Sequence, residues 1–148
     1  MSAYRRILVA VDGSAAANKG LREALRLAKA GRAKLFIVHV VDEFYAFAGL
    51  DAMAPMQDLV PVFRAGGKKV LARAEALARK QGIRPNTVLR EVVGGPAAGP
   101  ILSEARKQRA DLIVLGTHGR RGVRRLVLGS DAEQVVRSAT VPVLVVRA

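Results

Sequence analysis

Five short aliphatic runs, separated by stretches with helical periodicity, constrain the fold of this 148-residue chain most strongly. Runs 6–11, 35–41, 111–115 and 141–146 are nearly continuous in β-branched and aliphatic residues, which is typical of strands buried on both faces. Run 86–93 alternates polar with apolar residues, which predicts an edge or half-exposed strand. Strands that alternate with helices in this way predict a doubly wound parallel sheet with helices on both faces.

Four helices are predicted between the strands. The first is capped by Ser14, carries apolar residues at helical spacing and ends at Gly31. The second covers 70–81 and ends near Gly82, the third begins after Pro96 and Pro100, and the fourth covers 130–139.

The segment from Glu43 to Arg64 is apolar but has no clear periodicity. One interpretation is a loop and an early helical turn packed on the sheet edge. The other is a lid over a ligand, or a surface for a partner. The sequence leaves both open.

The composition excludes several classes of protein. Cysteine is absent, which excludes disulfides, thiolate metal sites and cysteine nucleophiles. No apolar run reaches the length of a membrane span, and run 7–11 is too short for the apolar region of a signal peptide. We therefore expect one cytoplasmic domain over residues 1–148.

The charge of the chain is strongly positive. The formal net charge is +13, from 25 Lys and Arg residues against 12 Asp and Glu residues. Such a surplus attracts nucleotides, nucleic acids and acidic surfaces without selecting among them. Aromatic residues make up 4% of the chain and tryptophan is absent, so the sequence offers no evident platform for stacking single-stranded bases.

The spacing of Gly116, Gly119, Gly129 and Ser130 carries the strongest functional signal. These residues join run 111–115 to the fourth helix, and a strand, a glycine-bearing loop and a helix amino terminus together form an anion site. A Walker loop is absent, because the Gly-Lys pair at 67–68 is followed by lysine and lacks the earlier glycine. The dinucleotide pattern Gly-x-Gly-x-x-Gly is absent too. A phosphate-containing ligand is the simplest interpretation.

These residues resemble the ATP-binding branch of the universal stress protein family, whose motif reads Gly-x2-Gly-x9-Gly-Ser. The likeness extends over the whole chain and includes segments 7–14, 39–42, 110–119, 128–130 and 141–147. It implies a single five-stranded, Rossmann-like parallel sheet in the order 3-2-1-4-5. It also implies that the ligand is ATP, with or without Mg²⁺.

The resemblance assigns roles to residues at the carboxyl ends of the strands. Asp12 matches an acid near the adenosine, with Gly13 and Ser14 beside it, and Val40 matches a position whose backbone meets the adenine edge. Ser130 is also expected to be an N-cap at a phosphate contact. The rest of the predicted site lies in the ribose and phosphate loop or at the start of the last helix: Gly116, Thr117, His118, Gly119, Arg120, Gly129 and Ser130.

Several of these residues have a structural alternative. Asp12 could cap the first turn, and Gly13 could serve only a tight turn. His39 is expected to be packed and hydrogen-bonded, and His118 lacks the partners of a catalytic constellation. Arg120 could clamp a phosphate or belong to a solvated basic loop.

Asp131 departs from the family, which often carries a small apolar residue at this position. A carboxylate suits the helix dipole but repels a polyphosphate, unless Mg²⁺ or nearby arginines offset it or the side chain points into solvent. This departure argues against a contact with the third phosphate more than against a contact with the adenosine.

The resemblance also implies a homodimer and a regulatory role. The last strand, with Val143, Leu144, Val145 and Val146, is predicted to pair with its twin across a two-fold axis, which would cover an exposed edge. We expect a nucleotide-dependent regulator of the stress response, because the motif comes without catalytic machinery. A slow ATP hydrolase is the first alternative. A charge-driven binder of nucleic acid or of an acidic partner is the second and the least favoured.

Overall fold

The computed structural model describes residues 2–43, 56–118 and 128–148. The predicted site residues Gly119 and Arg120 lie outside these ranges, as do positions 44–55 of the segment from Glu43 to Arg64. No described helix is both long enough and apolar enough to cross a membrane. The elements are β1 (Arg6–Ala10), α1 (Ala15–Gly31), β2 (Lys34–Asp42), α2 (Met56–Lys80), β3 (Asn86–Val92), α3 (Ala98–Lys107), β4 (Leu112–Gly116), α4 (Ser130–Ser138) and β5 (Val143–Val146).

The five strands form one parallel sheet in the order β3-β2-β1-β4-β5, which confirms the predicted order. Val9 of the central strand is in register with Ile37 of β2 on one side and with Val114 of β4 on the other. The alternating run forms the edge strand β3, as predicted, and β5 forms the opposite edge. The winding direction reverses between β1 and β4, and such a reversal opens a crevice at the carboxyl ends of the strands.

Two apolar cores lie on the two faces of the sheet. Odd-numbered residues of β1, such as Ile7 and Val9, pack with α1 and α2, whereas Leu8 packs with α3 and α4. The alternation follows from the pleat, which directs successive side chains to opposite faces. Each fully buried aliphatic side chain stabilises the fold by roughly 1.5–3 kcal/mol relative to an exposed one. The site-bearing ends of the strands are therefore held from both sides.

One helix boundary agrees with the prediction and another differs. α1 ends at Gly31, as predicted, and the residue that follows, Arg32, adopts the left-handed conformation with φ 52°. A Cβ atom at Gly31 would lie 2.2 Å from Oγ of Ser2, so the amino-terminal segment passes close to this glycine. α3 begins before Pro100, because the first turn of a helix does not use its N–H groups and tolerates proline.

α2 begins earlier than the sequence predicts. It starts at Met56 and continues through Pro61, so the carboxyl-terminal part of the segment from Glu43 to Arg64 is a full helical stretch instead of a loop with one turn. The lid interpretation concerns positions that lie largely outside the described residues. The predicted end is correct, since α2 stops at Lys80 and Gly82 has φ 79°. The strands begin and end within two residues of the predicted runs.

Candidate functional site

A cavity of about 700 Å³ lies at the carboxyl ends of β1, β2 and β4. One wall is the first turn of α4 and another is the middle of α2. Gly13 and Ser14 do not line it, although they directly follow Asp12, which does. The predicted residues that line it are Asp12, Val40, Gly116, Thr117, His118, Gly129 and Ser130. Their roles toward a nucleotide remain predictions.

The turn after β1 is built by three of the predicted residues. Oδ1 of Asp12 accepts a hydrogen bond from the backbone N–H of Ser14 at 2.8 Å. Gly13 has φ 83°, a left-handed conformation that favours glycine. Oγ of Ser14 caps α1 by accepting from the N–H of Ala17 at 3.2 Å, as predicted, and donates to the carbonyl of His118 at 3.3 Å. The structural roles suggested for Asp12 and Gly13 are therefore present, and the turn ties β1 to the loop after β4.

The peptide groups of Val40 face the cavity side of β2. The N–H of Val11 donates to the carbonyl of Val38 at 2.9 Å, so the peptide groups of Val38 are directed at β1. Peptide groups of alternate residues point the same way along a strand, and those of Val40 are therefore directed there too. β1 has already ended at Ala10, which leaves this stretch of β2 without a neighbouring strand on that side.

The first turn of α4 presents three backbone N–H groups to the cavity. Gly129, with φ −58° and ψ 150°, is the N-cap, and its carbonyl accepts the first helical hydrogen bond, from Glu133. The prediction that Ser130 is the N-cap is thus wrong by one residue. The cause is the bond from the N–H of Gly129 to the carbonyl of Thr117 at 2.7 Å, which holds Gly129 in extended conformation. The N–H groups of residues 130–132 have no acceptor within the helix, and all three residues line the cavity.

Two carboxylates stand at the same end of the cavity. Asp131 is partly buried and lines the cavity wall. Glu133 also lines the cavity and forms an exposed ion pair with Arg137 at 2.8 Å. Among the described residues, no group of three or more His, Cys, Asp or Glu side chains is arranged to hold a metal ion.

The two histidines differ in environment. His39 is 8% exposed and its Nδ1 lies 2.6 Å from the carbonyl oxygen of Val11, which confirms the prediction of a packed, hydrogen-bonded residue. Nδ1 of His118 lies 3.0 Å from Oγ1 of Thr117. Within the part of the chain that the structure describes, Nε2 of His118 is buried without a hydrogen-bond partner. His118 is therefore hydrogen-bonded to a hydroxyl, and no carboxylate of the described residues orients its ring as in a catalytic triad.

Residues 3–147 match the model of the universal stress protein family. This chain belongs to that family. A universal stress protein of Methanocaldococcus jannaschii is 34% identical over 144 residues, which cover 97% of this chain and 82% of the relative. The crystal structure of a family member from Burkholderia pseudomallei is 36% identical, with a TM-score of 0.79, and covers 100% of this chain and 99% of that one. The crystal structure of a universal stress protein in complex with cAMP is 27% identical, with a TM-score of 0.66, over 99% of this chain and 98% of that one.

Gly116 of this universal stress protein has a packing role that its motif position does not reveal. A Cβ atom there would lie 2.6 Å from the carbonyl carbon of Ala16 and 2.6 Å from the backbone nitrogen of Ala17. Ordinary van der Waals contacts of a Cβ atom are 3.4–4 Å. The end of β4 therefore packs directly on the backbone of α1, and only glycine permits that distance.

The α2 wall of the cavity contains residues that the sequence analysis did not select. Phe63, Gly66 and Gly67 line the cavity. A Cβ atom at Gly67 would lie 2.7 Å from Cγ2 of Val41 and 3.1 Å from Cδ2 of His39, so glycine lets α2 approach β2. A Gly-Gly pair within a helix was the available signal, since glycine there costs about 0.5–1 kcal/mol relative to alanine and usually has a packing reason.

A buried ion pair lies away from the cavity, between β3 and α3. Glu104 is completely buried, and its carboxylate accepts from Arg90 at 2.8 Å and from Gln108 at 2.7 Å. Burial alone would raise the pKa of Glu104, but the hydrogen bonds from Gln108 and Arg90, with the nearby charges of Lys107 and Arg90, hold it below its usual value. This pair fixes α3 on the sheet and belongs to the fold rather than to the site.

Proposed function

We propose that this universal stress protein binds an adenine nucleotide in the cavity, with ATP as the preferred ligand, and that binding regulates its conformation or its affinity for a partner. One observation carries the proposal: the open peptide edge at Val40 and the amino terminus of α4 face the same cavity. A base and a chain of phosphates require these two kinds of surface at opposite ends of one site.

The β2 side of the cavity suits the base. The Watson–Crick edge of adenine carries an acceptor nitrogen beside a donor amino group, and the N–H and carbonyl of Val40 form the complementary pair. Apolar side chains of Val41, Ile101 and Phe63 contribute to the surrounding wall and can pack on the faces of the ring. Asp12, at the end of β1, lies where its carboxylate can accept from a ribose hydroxyl.

The α4 side suits phosphate. Residues 130–132 offer three backbone N–H groups and the positive end of the helix dipole, and Ser130 adds a hydroxyl. Asp131 opposes a third phosphate in the absence of a cation. Mg²⁺ bound to the phosphates would offset that repulsion, so we propose the ligand as ATP with Mg²⁺. The relative solved with cAMP supports the assignment to adenine nucleotides, because it shares 27% identity over nearly the whole chain.

Isothermal titration calorimetry with ATP, AMP and adenosine, with and without Mg²⁺, tests the proposal. Ser130→Ala should weaken ATP binding about fivefold, as expected for one neutral hydrogen bond of about 1 kcal/mol. Ser138→Ala, an exposed serine at the other end of α4, is the matched control and should bind as the wild type does. The absence of heat for every adenine ligand, or equal weakening by the two variants, would contradict the proposal.

A regulatory role fits a site that binds without turning over. Both histidine rings near the cavity have a nitrogen engaged with a neighbouring oxygen, and no carboxylate of the described residues orients His118 as a general base. Slow hydrolysis of ATP is the second candidate, since phosphoryl transfer needs mainly positioning and charge stabilisation. Phosphate release measured against a control without protein separates the two: release at the control rate supports regulation, and faster release supports the hydrolase.

We also propose that the protein is cytoplasmic, because the reducing conditions of the cytoplasm suit a chain without cysteine.

We further propose that β5 pairs with its twin in a homodimer. The carbonyls of Pro142 and Val146 accept from β4, so by alternation the peptide groups of Val143 and Val145 are directed away from the sheet. The side chains of β5 are all partly exposed, although every residue is aliphatic. Sedimentation velocity should give a dimer, and Val145→Pro, which removes one outward N–H, should give a folded monomer. A wild-type monomer at micromolar concentration would refute the pairing.

A further inference from the structure

Among the described helices, positive charge is concentrated on one face of the sheet. Two helices, α1 and α2, cover one face of the sheet. Residues 15–31 of α1 and 64–80 of α2 contain ten Lys and Arg residues and two Glu residues. The helices on the other face, α3 and α4, carry three of each sign. The charge of the described helices therefore differs between the two faces of the sheet, and we refer to the outer side of α1 and α2 as the basic face.

The cations of the basic face form rows that follow the helix period. Lys19, Arg22, Arg26 and Lys29 are spaced by three or four residues and are all exposed, so they form a row about 15 Å long on α1. The exposed residues of α2 that continue the face are Lys68, Lys69, Arg73, Arg79 and Lys80. Both helices connect parallel strands and run in the same direction, which places the two rows side by side.

Carboxylates neutralise only a minority of these charges. Glu23 pairs with Arg26, and Glu75 pairs with Arg79 at 2.7 Å. Arg64 pairs with Glu91 of β3. The other seven cations of the basic face make no ion pair with any described residue. Exposed pairs of this kind contribute little to stability, and the seven unpaired cations remain available to an anionic ligand.

The side chains between the cations decide what kind of polyanion fits. The exposed positions within the rows are mostly alanine, and none of the exposed large apolar residues of the described chain falls in residues 15–31 or 64–80. A membrane-binding helix inserts bulky apolar side chains, and the apolar sides of α1 and α2 are instead buried against the sheet. A single-strand binder stacks bases on aromatic rings, and the basic face offers none.

We propose that the basic face binds the phosphate backbone of double-stranded nucleic acid without reading its sequence. A duplex carries about nine phosphate charges along 15 Å of its axis, and those on the near side can pair with unpaired cations of the two rows. The ligand is thus a rigid array of phosphates, which a rigid two-helix surface can meet without ordering flexible segments. This function is independent of the nucleotide cavity, which opens at the carboxyl ends of the strands.

Fluorescence anisotropy with a labelled 20-base-pair duplex tests the proposal over a series of salt concentrations. For four to seven phosphate contacts, the slope of log affinity against log salt should be about −4 to −6. The triple variant Lys19→Gln, Arg22→Gln, Arg73→Gln should make this slope less steep by about 3 and weaken binding at least tenfold at low salt.

A matched variant separates the basic face from net charge. The substitutions Arg106→Gln, Lys107→Gln and Arg137→Gln remove the same charge from the opposite face, and both variants keep the four arginines of residues 120–125. Binding should be unchanged by the matched variant, and both variants should bind ATP as the wild type does. Equal weakening by the two variants, tighter binding of a single strand than of the duplex, or binding only to phosphatidylserine vesicles would overturn the proposal.

Discussion

The replacement of Gly116 by alanine separates a packing role from a ligand-binding role at the first glycine of the motif. The new Cβ atom would lie 2.6 Å from two backbone atoms of α1 and 2.9 Å from Cβ of Ala16. To restore ordinary contacts of at least 3.4 Å, α1 and β4 must separate by roughly 0.8 Å, which is that limit minus the 2.6 Å contact. Because α1 buries Leu21 and Leu25 against the same sheet face, the separation loosens the core.

Overpacking of this kind typically costs about 1–3 kcal/mol. For a chain of this size the midpoint of thermal unfolding should fall by about 2–12 °C, from about 2–4 °C per kcal/mol. Gly66→Ala is the matched control, because Gly66 lies within α2 with nothing within 4 Å of the new Cβ atom. That variant should unfold at the same temperature as the wild type or slightly higher. Differential scanning calorimetry without nucleotide measures both. An unchanged midpoint for Gly116→Ala would refute the packing argument and favour a role confined to the ligand.

Three further predictions concern other parts of the molecule. Asp131→Asn should tighten ATP binding about three- to tenfold without Mg²⁺ and leave adenosine binding unchanged, as calorimetry would measure; an equal effect on both ligands would contradict the repulsion. Glu104→Gln should lower the free energy of unfolding by about 1–3 kcal/mol at pH 7. Because the folded state holds the pKa of Glu104 below its ordinary value of 4.5, its contribution is present above that value and is lost as pH falls through the folded pKa, so urea titrations of the two proteins should converge in acid and a constant gap would contradict the pairing. Gly66→Ala, with open space around the new Cβ atom, should raise stability by about 0.5–1 kcal/mol, whereas Gly67→Ala should lower it; equal midpoints in urea would refute the close approach of α2.

The sheet was predictable from the sequence because its signals are local. Aliphatic runs identify strands buried on both faces, and the alternation at 86–93 correctly places β3 at an edge. The cap at Ser14 was predictable too, because a serine directly before a stretch with helical periodicity is a typical N-cap. The beginning of α2 was not predictable, because 43–64 is mostly apolar and contains Pro61, so no helical period stands out.

The site was predictable in its location and less so in its details. The carboxyl ends of parallel strands meet at one edge, so Asp12, Val40 and Ser130 line one cavity although they are far apart in the chain. The N-cap was assigned one residue late, because the bond between Gly129 and Thr117 joins segments whose geometry no local pattern encodes. The close packing at Gly116 depends on the same kind of long-range contact. The uneven charge of the two sheet faces was not predictable from the composition, because the composition gives only the total charge.

The crystal structure of this protein grown with ATP and Mg²⁺ tests the central claim most directly. The account predicts electron density for the nucleotide in the cavity, with the adenine edge hydrogen-bonded to the backbone of Val40 and the phosphates at the N–H groups of residues 130–132. Density for the nucleotide on the outer side of α1 and α2, or an empty cavity at saturating ATP, would contradict it.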